Sequence, residues 1–177
     1  MNRVVIYGSF YGTTKKYAVE LAKRLEVDAI EYNEVKNIND YDSIIYLGGL
    51  YAGGVLGMSK TLKKLNNIDN KEIVISTIGL ADPTDKENIE AIENHMKKQL
   101  SEELFVKSKI FHLRGGIVYK NLSFKHKVMM KLVYNKAKKT PVEERNAELK
   151  AMIETYNKEV DFVNFDSLDK IIGILEK

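Results

Sequence analysis

Three hydroxyl side chains, Ser9, Thr13 and Thr14, gather around Gly12 in the stretch GSFYGTTK, residues 8–15. An apolar β-branched run at residues 4–7 precedes the stretch. Residues 14–25 follow it, with Tyr17, Ala18, Leu21, Ala22 and Leu25 on one helical face. A strand–loop–helix of this kind presents N–H and O–H donors at a helix N-terminus, where the dipole favours negative charge. A site of mainly neutral donors suits a terminal phosphomonoester. Two better-known phosphate loops do not match. G-x-G-x-x-G needs three glycines where only Gly8 and Gly12 stand, and G-x-x-x-x-G-K-[ST] needs lysine directly after its second glycine, where Thr13 stands. Thr14 as a plain N-cap accounts equally well for its hydroxyl.

Two further loops follow strand-like runs. GGLYAGGVLGMSK, residues 48–60, carries five glycines, which weaken strands and helices alike. They suit a backbone that closely approaches a flat ligand, with Leu50, Tyr51, Ala52 and Gly53 at its rim. Tyr51 either stacks on that ligand or packs against neighbouring helices. STIGLADPTD, residues 76–85, breaks its strand at Gly79 and offers backbone from Thr77, Ile78, Gly79 and Leu80 to the ligand's other side. No side chain is nominated as a catalytic acid, base or nucleophile. Cysteine is absent, which excludes disulfides, thiolate zinc sites and a cysteine nucleophile. The three histidines, His95, His112 and His126, form no metal-ligand pattern, and no metal site is expected.

The elements that must position these loops alternate. Short apolar runs at 4–7, 44–47, 73–78 and 109–113, with a weaker one at 27–32, are continuous rather than alternating, as in parallel strands covered on both faces. Helical spacing fills the intervals at 14–25, 59–65 and 85–100, the last with Ile89, Ile92, Met96 and Leu100 inward. A closing helix is expected at 167–175. The pattern implies an α/β, doubly wound parallel sheet in a single domain spanning 1–177. In such sheets ligands sit beyond the carboxyl ends of the strands where the winding reverses. A pI of about 8.8 and a net charge of +3 are too weakly basic to argue for nucleic acid. No secretory leader or membrane span is expected, and the chain is expected in the cytoplasm.

Residues 119–160 exceed what a crossover needs and predict a helical insertion after the fifth strand. In it Leu122, Met129, Val133 and Ala137 share one face, and Lys120, Lys127, Lys131 and Lys138 the opposite one. With Lys125, the lysines at 120, 127 and 131 either attract anionic substrate groups or anionic lipid, or form an ordinary solvated face.

The loops and β/α order together resemble the flavodoxin-like family, whose phosphate loop reads approximately [ST]-x-[ST]-G-x-[ST]. Ser9, Gly12 and Thr14 occupy matching positions, whereas Tyr11 stands where Ser or Thr is common. The resemblance implies five parallel strands in the order 2-1-3-4-5, the order that general α/β rules give for flavodoxin itself. It also implies FMN as cofactor, contacted by Ser9, Phe10, Tyr11, Gly12, Thr13 and Thr14 and by the two later loops. Within the family, YGTTKKYAVELAKRL, RGGIVYKNLSFKHKVMMKLVYNKAKK and VDFVNFDSLDKI most resemble the bacterial flavodoxin-like protoporphyrinogen dehydrogenases. That likeness implies an FMN-dependent oxidoreductase with a redox partner or quinone-like acceptor; the basic insertion leaves open whether the chain also makes peripheral contact with the inner face of the cell membrane, binds substrate there, or does neither. The alternative is a flavodoxin-type electron-transfer carrier, against which the basic pI and the insertion weigh. A receiver domain would need acids where the first and third strands end in YGSFY and YLGGLY.

Overall fold

The continuous apolar runs become the central strands of one sheet in the computed structural model, which describes residues 1–51 and 53–176. In chain order these are β1 (Arg3–Gly8), α1 (Thr13–Leu25), β2 (Ala29–Glu31) and β3 (Ser43–Tyr51), then β4 (Gly54–Val55), α2 (Met58–Leu62) and β5 (Glu72–Gly79). They continue through α3 (Lys86–Gln99), α4 (Glu102–Lys107), β6 (Lys109–Arg114), β7 (Gly116–Val118), α5 (Phe124–Lys139), α6 (Ala147–Thr155), β8 (Glu159–Asp161) and α7 (Asp169–Leu175). The long strands run parallel in the order β2-β1-β3-β5-β6, which is 2-1-3-4-5 counted along these five, with flanking helices on both faces. The fold expected from the sequence is therefore the fold observed.

Alternation within each strand divides the core. Val4 and Ile6 of β1, Ile44 and Tyr46 of β3 and Ile73 and Ile75 of β5 meet Met58, Ile92, Met96 and Leu104 from α2, α3 and α4. Val5, Ile45, Leu47 and Val74 point the other way, onto Tyr17, Ala18 and Leu21 of α1 and Ile171 and Leu175 of α7. Register places Gly8 opposite Gly48, and Gly79 opposite Arg114. The glycine-bearing ends of β1, β3 and β5 thus lie side by side.

Three short elements extend the sequence reading. β4 folds back antiparallel on the end of β3, α4 adds one and a half turns after α3, and β7 pairs antiparallel with β8. The last pairing sets Val118 opposite Glu159 and frames the insertion between them. Inside the frame Tyr134 stacks on Tyr156 (centroids 3.9 Å, 5° between planes), and Tyr119 meets Tyr156 edge-on at 5.2 Å. The frame is tied to the main body by Arg114, which lies 3.7 Å over the Phe162 ring and donates to Glu154 Oε2 at 2.8 Å. Lys16 Nζ donates to Asp161 Oδ2 at 2.9 Å and holds that carboxyl below the ordinary carboxylate range.

Candidate functional site

Beyond β1 the chain turns through residues 9–12 into α1. Gly12 is the N-cap, with φ +92°, and no side chain caps the helix. The alternative in which Thr14 caps is thereby corrected: the helix begins at Thr13, so Thr14 is its second residue and lies inside the first turn. The first-turn N–H groups have no intrahelical acceptors and face the loop. Ser9 Oγ accepts the Gly12 N–H at 3.1 Å and keeps its own proton to donate. Thr13 is committed elsewhere, since its hydroxyl donates to Gly116 O at 3.2 Å. Thr14 is 3% exposed. A Cβ built on Gly49 would lie 3.0 Å from Thr14 Oγ1, so the hydroxyl occupies the seam between the first loop and the end of β3.

In the second loop Leu50 pairs with Val55 and Tyr51 with Gly54, around a turn in which Gly53 takes φ +77°. Ala52 lies outside the described residues. Leu50 bridges two loops: its Cδ1 is 2.7 Å from where a Cβ on Gly79 would stand. In the third loop, Leu80 O accepts from Arg114 Nε at 2.9 Å. Thr77 and Ile78 lie within β5 and are almost wholly buried. The Thr77 hydroxyl contacts His112 Nδ1 at 2.8 Å, and Ile78 packs in the α1-side core, so both present only backbone to the site. Burial pushes the His112 imidazole below its ordinary pKa, against the opposing pull of Glu93, whose Oε1 is 3.9 Å from Nε2.

The residue that sequence reasoning missed is His126. It sits on the first turn of α5, and its Nε2 contacts the Tyr51 hydroxyl at 2.6 Å while its Nδ1 contacts the Tyr11 hydroxyl. The same Tyr11 oxygen accepts the Ser123 N–H at 3.2 Å. Phe10 completes the cluster, 4.6 Å from the Tyr51 ring and 5.4 Å from the His126 ring between centroids. Tyr11, the departure from the usual loop pattern, is thus where the insertion attaches. That departure was the available signal.

The four nominated lysines do not converge. Lys120 pairs with Glu159 at 3.2 Å and Lys127 Nζ donates to Lys120 O at 2.9 Å. Lys125 and Lys131 are exposed and make no ion pair among the described residues. A recess of about 340 Å³ opens beside Tyr51 and Gly53, walled by His95, Lys98 and Gln99 of α3. A larger one, about 720 Å³, lies around Leu62, Ile68 and Leu104, away from the three loops, and carries none of their donors.

Residues 4–143 match the Flavodoxin domain family, a span running from β1 past the end of α5. The chain belongs to this family. Among solved flavodoxin-fold structures, a Fusobacterium nucleatum flavodoxin bound to flavin mononucleotide is 19% identical, over 70% of this chain and 74% of its own, at a TM-score of 0.44. Flavodoxin 2 of Bacillus cereus is 20% identical, over 64% and 84%, also at 0.44. A Lactobacillus acidophilus NCFM flavoprotein in complex with FMN is 12% identical, over 64% and 91%, again at 0.44. These scores are low, and the flavodoxin assignment rests on the family match. No curated protein matches the chain.

Proposed function

We propose that the three loops hold FMN and that the chain is a flavoprotein oxidoreductase whose substrate reaches the ring beneath α5. The donor set fits the phosphate: first-turn N–H groups of α1 with the Ser9 and Thr14 hydroxyls around it. Backbone at Gly53 and Gly79 and the Tyr51 ring suit a flat polycycle. FMN, when bound, supplies the redox chemistry. The chain's residues bind, orient and cover. His126 meets a tyrosine hydroxyl at each ring nitrogen, which fixes the imidazole at the mouth of the site.

The observation that carries the reading is the attachment of α5 to both ligand loops through His126. An electron carrier works through an exposed ring edge, whereas in this chain α5, held to Tyr11 and Tyr51, would cover it. The likeness of the insertion supports a porphyrinogen as substrate and a quinone-class electron acceptor. Two measurements test this. Purified protein, or protein given FMN, should show flavin absorption; a colourless protein that takes up no FMN sinks the cofactor. Protoporphyrinogen added to the loaded protein with a quinone should raise porphyrin fluorescence above the autoxidation control. No rise removes the substrate, and rapid one-electron exchange with a reductase in its place would establish a carrier.

A further inference from the structure

The outward face of α5 carries an apolar stripe that no other element covers among the described residues. Phe124, Val128 and Leu132 recur every four residues, advancing only about 40° per step around a helix. They remain 83%, 43% and 65% exposed. Surface helices ordinarily turn such residues inward. Here the inward face is already taken: Ala137 is fully buried, Met129 and Val133 are half-buried, and His126 reaches the site from roughly 160° around the helix from the stripe's centre. The helix is apolar on two sides, one facing the protein and one facing out.

Charge tells what the outward side meets. Phe124–Lys139 contains lysines at 125, 127, 131, 136, 138 and 139 and no acidic residue. The rest of the chain, with 22 basic against 25 acidic residues, is net negative. On the helical wheel Lys125 and Lys136 border one flank of the stripe and Lys131 and Lys138 the other. None of these four makes an ion pair among the described residues.

We infer that α5 docks on an anionic lipid surface, lying in the interface with Phe124, Val128 and Leu132 between the headgroups and the flanking lysines among the phosphates. At 16 residues, about 24 Å, it lies on a bilayer, and no described helix is long and apolar enough to cross one. A second copy of the chain would bring the same lysines against these, which disfavours self-pairing through the stripe. A fluid array of phosphates asks for no matched acidic pattern and suits long, unpaired lysine side chains. The docking does not rest on the FMN reading. Where both hold, the covered mouth lies about one helix diameter, roughly 10 Å, from the bilayer, the phase in which a lipophilic quinone dissolves.

The test uses the full-length chain with vesicles of phosphatidylcholine alone or containing about 30% phosphatidylglycerol, followed by flotation and by sizing without lipid. Binding to the anionic vesicles should exceed binding to the neutral ones at least about tenfold and weaken as salt rises. Phe124→Ser with Leu132→Ser should lose about tenfold or more while keeping the parent's melting temperature. Lys125→Ala with Lys131→Ala and Lys136→Ala should lose a similar amount at low salt, and a Lys23→Ala, Lys86→Ala control should lose none. Equal binding to both vesicle types, or full binding by the serine variant, overturns the proposal. So does a dimer at assay concentration that the serine variant converts to monomer, because a second copy would then cover the stripe. Failure of the FMN reading would show separately, as protein that takes up no flavin.

Discussion

Thr14→Val isolates the phosphate site, because the change removes one hydroxyl and nearly preserves shape. The residue is 3% exposed and caps nothing, since Gly12 holds the N-cap position, so its hydroxyl is not needed to start α1. Folding should therefore change little, with melting within a few degrees of the parent. A hydrogen bond to a charged partner contributes about 1.5–3 kcal/mol, which corresponds to about 10- to 150-fold in Kd. The assay is titration of apoprotein with FMN, followed by quenching of flavin fluorescence, repeated with riboflavin, which has the ring but no phosphate. The variant should lose that factor for FMN and almost nothing for riboflavin. Equal losses for both ligands would mean the substitution disturbs the ring site. A loss no larger than that of exposed Lys23→Ala would mean Thr14 touches no phosphate. Either outcome refutes the reasoning.

Tyr11→Phe removes the oxygen shared by Ser123 and His126 and should weaken the anchorage of α5 by about 1–2 kcal/mol, the low end for two partly exposed hydrogen bonds. Amide exchange at residues 123–130 should quicken several-fold while β3 and β5 stay protected; unchanged protection would contradict the attachment. Gly57→Ala asks an L-residue to adopt φ +76° with its Cβ 2.6 Å from the Tyr46 hydroxyl and against the Tyr32 ring. It should cost about 2–4 kcal/mol by denaturant unfolding. His112, with a folded pKa lowered by burial, binds its proton more readily when unfolded. Its contribution is complete above the ordinary value of 6.5 and is lost as pH falls from there toward the lowered value. Unfolding free energy measured from pH 8 down to 5 should decline over that window, and His112→Gln should flatten the decline.

What was legible in the sequence follows from range. β1, β3 and β5 are buried on both faces, so each leaves a continuous apolar run that a single chain displays locally, and half-buried β6 at the sheet edge leaves a shorter one. β4, β7 and β8 are two or three residues long and exist only by pairing, which no local window records. The sheet order came through likeness to a family, not through periodicity. The hydroxyls of the first loop were visible, but their division of labour was not: Thr13 is tied to Gly116, 103 positions away. His126 was passed over for the same reason, its partner Tyr11 lying 115 positions earlier. In α5 a single apolar face was expected, and Met129, Val133 and Ala137 do turn inward. Phe124, Val128 and Leu132 were hidden by that success, because a helix apolar on two sides has no clean period to detect.

The β7–β8 pairing has a consequence for how the molecule can change. Paired antiparallel residues stand about 5 Å apart, so Val118 and Glu159 could be joined by a tight turn. The 40 residues 119–158 leave and re-enter the body at one point. Lengthening a two-residue closure to that size costs only about 3 kcal/mol of chain entropy, and the tyrosine cluster between α5 and α6 gives the excursion packing of its own. The piece over the site is in effect an exchangeable cartridge. Its length, charge and outward face can drift, or be redesigned, without re-registering any strand of the sheet beneath.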